Sequence, residues 1–368
     1  MKFQCERENL INGLQQCQRA ISTKSMLPIL SGILIKSDGK TLNLSATDLE
    51  ISVRTSIDVE TKEAGSLVVP AKLILDILTN LDEEKVEISL IKEKGQLEIL
   101  AGESRFDLNI FFEEDFPKIP ESQGEPTCDL DADKIGVMIK EVAKAASRDD
   151  AKPMLTGVLV EMEPTSIKMV ATDSYRLAIG EDKLDRGPGG NVSIIIPARS
   201  LRELNRIIAT SDKHTVSVFL TDNQVIFRIG GVELISRLIE GEFPNYKQIL
   251  PEGYEKKIRV NKGRFLGATK RVSLLAQNNT PVKVTTANNM MVISANTQDV
   301  GEATERMDVE FPGEEIKIAF NPQYLIDGIT SVEGDELVIE VLDPLKPALI
   351  KPVEKDDFLY LIMPIRVS

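Results

Sequence analysis

Two aspartates, Asp48 and Asp173, each follow an Ala-Thr pair and stand 125 residues apart. A pair of carboxylates could share a divalent metal or divide acid and base work in a hydrolase. The plainer reading is an aspartate that closes the same turn twice, because aspartate side chains accept from backbone N–H groups two and three residues on. The rest of the catalytic inventory is thin. His214 is the one histidine and sits in the turn-like Ser211-Asp212-Lys213-His214-Thr215, so the commonest general base and metal ligand is nearly absent. Cys5, Cys17 and Cys128 have neither metal-ligand nor disulfide spacing and read as small core residues. There is no Gly-x-x-x-x-Gly-Lys-Ser/Thr phosphate loop. Arg186-Gly187-Pro188-Gly189-Gly190 reads as a tip between strands, and the runs Phe112-Glu113-Glu114-Asp115 and Lys355-Asp356-Asp357 as solvated loops. Neither an enzyme, a cofactor nor a metal site is expected.

The segments around the two aspartates are copies of each other. Leu27-Pro28-Ile29-Leu30-Ser31-Gly32 leads to Ala46-Thr47-Asp48, and Lys152-Pro153-Met154-Leu155-Thr156-Gly157 leads to Ala171-Thr172-Asp173. A fainter copy runs from Thr280-Pro281-Val282 to Ala295-Asn296, 124 residues beyond Ala171. So long a period repeats whole domains rather than solenoid units. The second halves keep it too, with Pro70, Pro197 and Asn321 at steps of 127 and 124. Three domains are expected, over residues 1–120, 128–251 and 257–368, joined by proline-containing linkers such as Phe116-Pro117-Lys118-Ile119-Pro120 and Phe243-Pro244-Asn245-Tyr246.

Each domain reads as strand, helix, three strands, written twice. Leu10, Leu14 and Cys17 at helical spacing place a helix over Arg7–Ala20, and the others are expected over 71–81, 134–146, 199–209, 262–276 and 322–329. Alternating runs such as Thr41–Ala46, Gln96–Ala101 and Arg105–Phe111 are strands. The fold class is α+β, with three similar domains. The N-terminus lacks the apolar core of a signal peptide and no apolar run matches a membrane span, so a cytoplasmic protein is expected.

The formal charge is −14, yet residues 7–24, 134–148, 199–206 and 259–271 together carry +12, leaving −26 for everything else. Ordinary amphipathic helices with lysine-rich solvent faces are the competing account of this pattern. Basic helices and acidic strands are a segregation by element, and if six similar helices all line one surface, geometry restricts the assembly. Six helices packed about 8–10 Å apart around a circle leave a bore of only about 8 Å, whereas twelve leave about 25 Å. The larger bore passes a DNA duplex, and two copies joined head to tail would make it. The residues expected to face DNA are Lys72, Lys140, Lys144, Arg148, Arg199, Arg202, Arg206, Lys262 and Arg264.

Over its whole length the chain resembles the bacterial DNA polymerase III β-subunit family, the sliding clamps. The resemblance is carried by Met1-Lys2-Phe3, Leu27-Pro28-Ile29-Leu30, Ala171-Thr172-Asp173-Ser174-Tyr175-Arg176-Leu177-Ala178, Gly241-Glu242-Phe243-Pro244-Asn245-Tyr246 and Met363-Pro364-Ile365-Arg366. It implies a ring-shaped head-to-tail homodimer, helices lining the bore and antiparallel sheets outside, that encircles duplex DNA without reading sequence. An ATP-dependent loader opens such rings. The DNA polymerase III catalytic subunit, other polymerases, and mismatch-repair and ligase-type proteins dock through short linear motifs. No membrane is involved.

By the same resemblance the peptide cleft between the second and third domains takes Leu155, Thr172, Arg176, Leu177, Pro244, Ile249, Leu345, Met363, Pro364, Ile365 and Arg366. Ser174 and Tyr175 stand in that cleft where glycine and histidine are familiar, and Gln248 where an arginine is. Val367-Ser368 extends the tail, and the loop 149–154 lacks the family's DNA-touching tyrosines. Lys24 matches a DNA-facing position. The dimer contact falls on Phe106, Leu274 and Leu275, with Arg105 and Lys94 facing Glu302 and Glu305. Two other classes compete: a metal-dependent hydrolase built on Asp48 and Asp173, and a repeat-built peptide scaffold that does not bind DNA.

Overall fold

The computed structural model describes residues 1–21, 27–122, 124–251, 253–277 and 280–366. Strand, helix, three strands recurs six times among them, beginning at residues 2, 65, 128, 192, 256 and 316. The helices cover 7–18, 71–79, 132–142, 198–208, 262–273 and 322–331. Their apolar residues fall on one stripe, as with Leu10, Leu14 and Cys17, or Ile74 and Leu78, all fully buried. Asn261 and Asn321 cap the last two. The Asn261 side chain accepts from Arg264 N at 2.9 Å and that of Asn321 from Gln323 N at 2.9 Å, each worth about 1 kcal/mol.

Several helices stop short of the expected ends. The helix at 262 closes at Ser273, which puts Leu274 and Leu275 in the turn beyond it. Phe111 leaves its strand and forms a bridge to Val68. Strand 60–63, Glu-Thr-Lys-Glu, pairs with strand 2–6 and carries no apolar alternation that could reveal it.

The opening strand of each half pairs with the other half's strands. Strand 2–6 lies against 85–91, with Phe3 opposite Ile88, and strand 65–70 lies against 32–38. The later repeats do the same, 128–131 with 215–220 and 192–197 with 157–163. Two halves are thereby laced into one domain.

Sheets also continue from one repeat into the next. Strand 51–58 pairs antiparallel with 232–237, Val53 opposite Leu234, making an eight-stranded sheet. Strand 176–183 pairs antiparallel with 358–362, Ala178 opposite Tyr360, making another. The middle repeat therefore gives one half to each neighbour. Contacts divide the chain accordingly into two compact units, Met1–Ala132 with Glu203–Leu238, and Asp133–Arg202 with Ile239–Ser368.

Candidate functional site

The turn between strands 166–172 and 176–183 is built from its own polar side chains. Asp173 Oδ1 accepts from Tyr175 N at 2.9 Å and Arg176 N at 3.1 Å. Thr172 Oγ1 donates to Arg176 O at 2.6 Å and accepts from Ser174 N at 3.2 Å. The first repeat matches it: Asp48 Oδ1 accepts from Glu50 N and Ile51 N, and Thr47 Oγ1 donates to Ile51 O. Both aspartates are turn caps. The turn forces Ser174 to φ +79° and Leu49 to +78°, the left-handed region that glycine occupies without strain.

This turn aims Arg176 inward, where it is 6% exposed. Its Nε donates to Asp173 Oδ2 at 2.9 Å, and its Nη1 to Asp327 Oδ2 and, at 3.3 Å, to Tyr360 Oη. The guanidinium also lies 4.3 Å from the centre of the Tyr324 ring. Burial alone would lower its pKa, but Tyr360, Asp327 and Asp173 outweigh burial and hold the group charged. On the surface above, Tyr175 stacks on Tyr324 with ring centres 6.4 Å apart.

The chain's tail is pinned beside this hub. Met363 N donates to Tyr175 O at 2.9 Å, and Ile365 N to Ala319 O at 2.7 Å. Leu177 is fully buried in an apolar cluster with Leu159, Tyr246 and Leu361, against which Met154, Phe243 and Met363 pack. Leu155 is buried and follows Met154 directly, while Pro244 and Gln248 are exposed. Tyr175, Ile249, Leu345 and Ile365 leave large apolar side chains in solvent, at 63%, 37%, 62% and 36% exposure. Of the residues singled out from sequence, then, Tyr175 and Met363 are joined through the backbone beside Arg176, while Leu177 and Met363 share the apolar cluster. Thr172 and Ser174 shape the turn that holds them. Pro364 is half-buried and Arg366 exposed. Val367 and Ser368 lie outside the described residues.

Sequence reasoning missed Tyr324, Asp327 and Tyr360. They lie in the last repeat, and no local pattern marks them as partners of Arg176.

The basic residues divide into two groups. Lys72, Lys140, Arg148, Arg199, Arg202, Arg206 and Arg264 are exposed. Arg206 pairs with Glu203 at 2.6 Å, and Arg202 donates to Ala143 O. Lys144 and Lys262 are half-buried and engaged, Lys144 with Thr330 Oγ1 at 3.1 Å and Lys262 with Val332 O. Burial lowers the Lys144 pKa against the pull of Asp327. Lys24 lies outside the described residues. Among the dimer candidates, Leu274 is 73% exposed and Phe106 37%. Lys94 and Glu302 are also exposed. Within the chain Arg105 pairs with Glu98 at 2.9 Å and Glu305 with Arg271 at 2.7 Å.

The remaining chemical candidates are structural. The three cysteines are free and buried, and burial pushes the Cys5 thiol up to about 12 and that of Cys128 to about 11. Gly187 packs on the 163–164 turn, where a Cβ would come within 2.5 Å of two carbonyl oxygens. His214 is exposed, and its carbonyl accepts from Ala132 N at 2.9 Å. Among the described residues no group of three or more His, Cys, Asp or Glu is placed to hold a metal, and no helix is long and apolar enough to cross a membrane.

Three family models cover nearly the whole chain. The N-terminal domain of the DNA polymerase III beta subunit matches residues 1–120, the central domain 129–245 and the C-terminal domain 247–366. The beta sliding clamp of Staphylococcus epidermidis is 34% identical over 377 residues, covering 100% of this chain and 99% of that protein. The DNA polymerase sliding clamp of Bacillus subtilis superimposes with a TM-score of 0.93 at 29% identity, and the DNA polymerase III subunit beta of Pseudomonas aeruginosa with 0.91 at 28%. Both cover 100% of each chain. The chain belongs to the DNA polymerase III β-subunit family, the β sliding clamps, which are non-catalytic processivity subunits in DNA replication. Its α+β fold of three clamp domains with antiparallel sheets is the family's.

Proposed function

We propose that two copies of the chain close head to tail into a ring that encircles duplex DNA, and that partners dock at the Arg176–Met363 site. One observation carries the ring. In both seams the third strand of one repeat's first half pairs with the third strand of the next repeat's second half. Applied to all six halves, that rule leaves two strands over, 301–308 and 104–109. Each lies at the edge of its sheet. The seam strands are mostly buried, but these two are largely exposed. A second copy supplies what each edge lacks, and covering open edges is what stable sheets require. Leu274 and Phe106 would then be buried across the new seam.

Exposed Lys72, Lys140, Arg148, Arg199, Arg202, Arg206 and Arg264 would face the duplex and meet phosphates without reading bases. The peptide site offers an apolar cluster beside an anchored cation and a stacked tyrosine pair. That suits a short segment with one or two apolar anchors. Its users would be the DNA polymerase III catalytic subunit, other polymerases, and mismatch-repair and ligase-type proteins, with an ATP-dependent loader opening the ring. The setting is the cytoplasm, at the nucleoid. The domains run over 1–120, 128–251 and 257–368.

Retention on nicked circular DNA, followed by loss on linearisation, tests enclosure, since only a closed ring falls off free ends. Equal retention on both forms would overturn it. Truncation after Ile362 should abolish binding of a polymerase-derived peptide while the dimer persists; unchanged affinity would remove the tail from the site.

A further inference from the structure

We infer, on the strength of the ring proposed above, that Asp107 of one copy and Glu302 of the other face each other and make their seam the place where the ring opens. The two seams inside the chain supply the register. In the first, Val53 faces Leu234, and these stand opposite Ala46 and Phe227 in their own hairpins. In the second, Ala178 faces Tyr360, opposite Ala171 and Ile350. Ala303 and Phe106, opposite Ala295 and Ile99, hold the same places on the two open edges. Antiparallel pairing about that centre sets Glu302 against Asp107 and Thr304 against Arg105.

The row beside the centre separates the seams. It holds Ser52 against Ile235 in the first and Leu177 against Leu361 in the second. Ile235, Leu177 and Leu361 are buried there. The seam between copies puts two carboxylates in that row, and like charges directly opposite on paired strands destabilise the pairing. The row on the other side of the centre shows the favourable choice, since Arg54 faces Glu233 in the first seam at 3.4 Å.

Arg105 does not cancel the repulsion. Inside its own chain it is already shared between Glu98 at 2.9 Å and Asp107 at 3.4 Å. Two carboxylates and one guanidinium leave that edge negative, and Glu302 arrives diagonally from Arg105 as a third carboxylate. Phe106 and Ala303 lie on the opposite face of the same strands, so apolar burial there holds the copies together while this row limits how firmly. A seam within the chain never has to part. One between copies must part whenever a ring is threaded onto DNA that lacks free ends, and a repulsive row favours that opening.

Subunit exchange between donor-labelled and acceptor-labelled protein, followed by energy transfer, reads the lifetime of the dimer. Both side chains are exposed in the single chain, so the substitutions leave the fold intact. Asp107→Asn should slow exchange about fivefold. Added NaCl should slow exchange of the parent by screening the repulsion, and should affect Asp107→Asn less. In a Glu302→Gln background, Asp107→Asn should alter the rate by less than about twofold, because the charge it faces is gone. Unchanged or faster exchange in Asp107→Asn would overturn the inference while leaving the ring standing. Equal slowing in both backgrounds would also overturn it, since the effect would then lie within one chain. Parent protein that light scattering finds only as single chains would overturn the ring itself, and this inference with it.

Discussion

Arg176 Nη1 donates to the carboxylate of Asp327, so a strand of the middle repeat and a helix of the last share one buried ion pair. The pair lies directly under the stacked Tyr175 and Tyr324, which makes it part of the floor of the proposed docking site.

Removing one partner of a buried pair strands the other charge. Asp327→Asn should therefore destabilise the protein by about 3 kcal/mol in urea denaturation. The double change Arg176→Leu with Asp327→Leu should recover much of that loss, because no charge is left buried. A single variant within about 0.5 kcal/mol of the parent would show that Asp173 and Tyr360 suffice.

Ser174 and Leu49 hold left-handed backbone at equivalent turns. Ser174→Gly and Leu49→Gly should each relieve about 1 kcal/mol of strain, partly offset by the freer unfolded chain. Thermal melting should rise slightly for both. A fall of several degrees in either would mean that the side chain supplies more than the turn costs.

The repeat rule fixes the register between copies. Val53 faces Leu234 in one seam and Ala178 faces Tyr360 in the other. Ala303 and Phe106 hold the corresponding hairpin positions, opposite Ala295 and Ile99. Phe106→Cys with Ala303→Cys should give covalent dimers under mild oxidation, read as doubled mass on a non-reducing gel. Crosslinking that favours a neighbouring position would shift the register. Leu274→Ala with Leu275→Ala should lower the mass by light scattering to one chain and end retention on circular DNA.

Glu141 carries a folded-state pKa of about 8, above its ordinary value of 4.5. The folded state thus binds more protons than the unfolded chain between those values. Its contribution is complete below about pH 4.5 and is lost as pH rises through about 8, at most about 5 kcal/mol and less by the amount solvent screens the group. Glu141→Gln should flatten that part of the stability profile. An unaltered slope would assign the pH dependence elsewhere.

The helices and most strands were legible because their apolar residues keep a period, as Leu10, Leu14 and Cys17 do. The turn role of Asp48 and Asp173 was legible because it is written twice. The seams were not. Strand 176–183 and strand 358–362 both read as good strands, and nothing in alternation says which edge meets which. The same holds for Arg176: its partner Asp327 is 151 residues away, and an aspartate on a helix looks the same whether it faces solvent or a buried guanidinium. Glu141 was invisible for a related reason, since Glu333 and Asp357, whose charges raise its pKa, lie far from it in sequence. Strand 60–63 had no hydrophobic signal at all.

The exchange of opening strands between halves sets a schedule for the nascent chain. Lys2 faces Ser89 in the finished sheet, so that edge of strand 2–6 stays open, even after strand 60–63 has paired with the other edge, until 85–91 has emerged. At roughly 5–20 residues per second that wait is about 4–17 s. Each later domain repeats the delay, which makes synthesis, rather than the mature protein, the period when these strand edges are open to other chains.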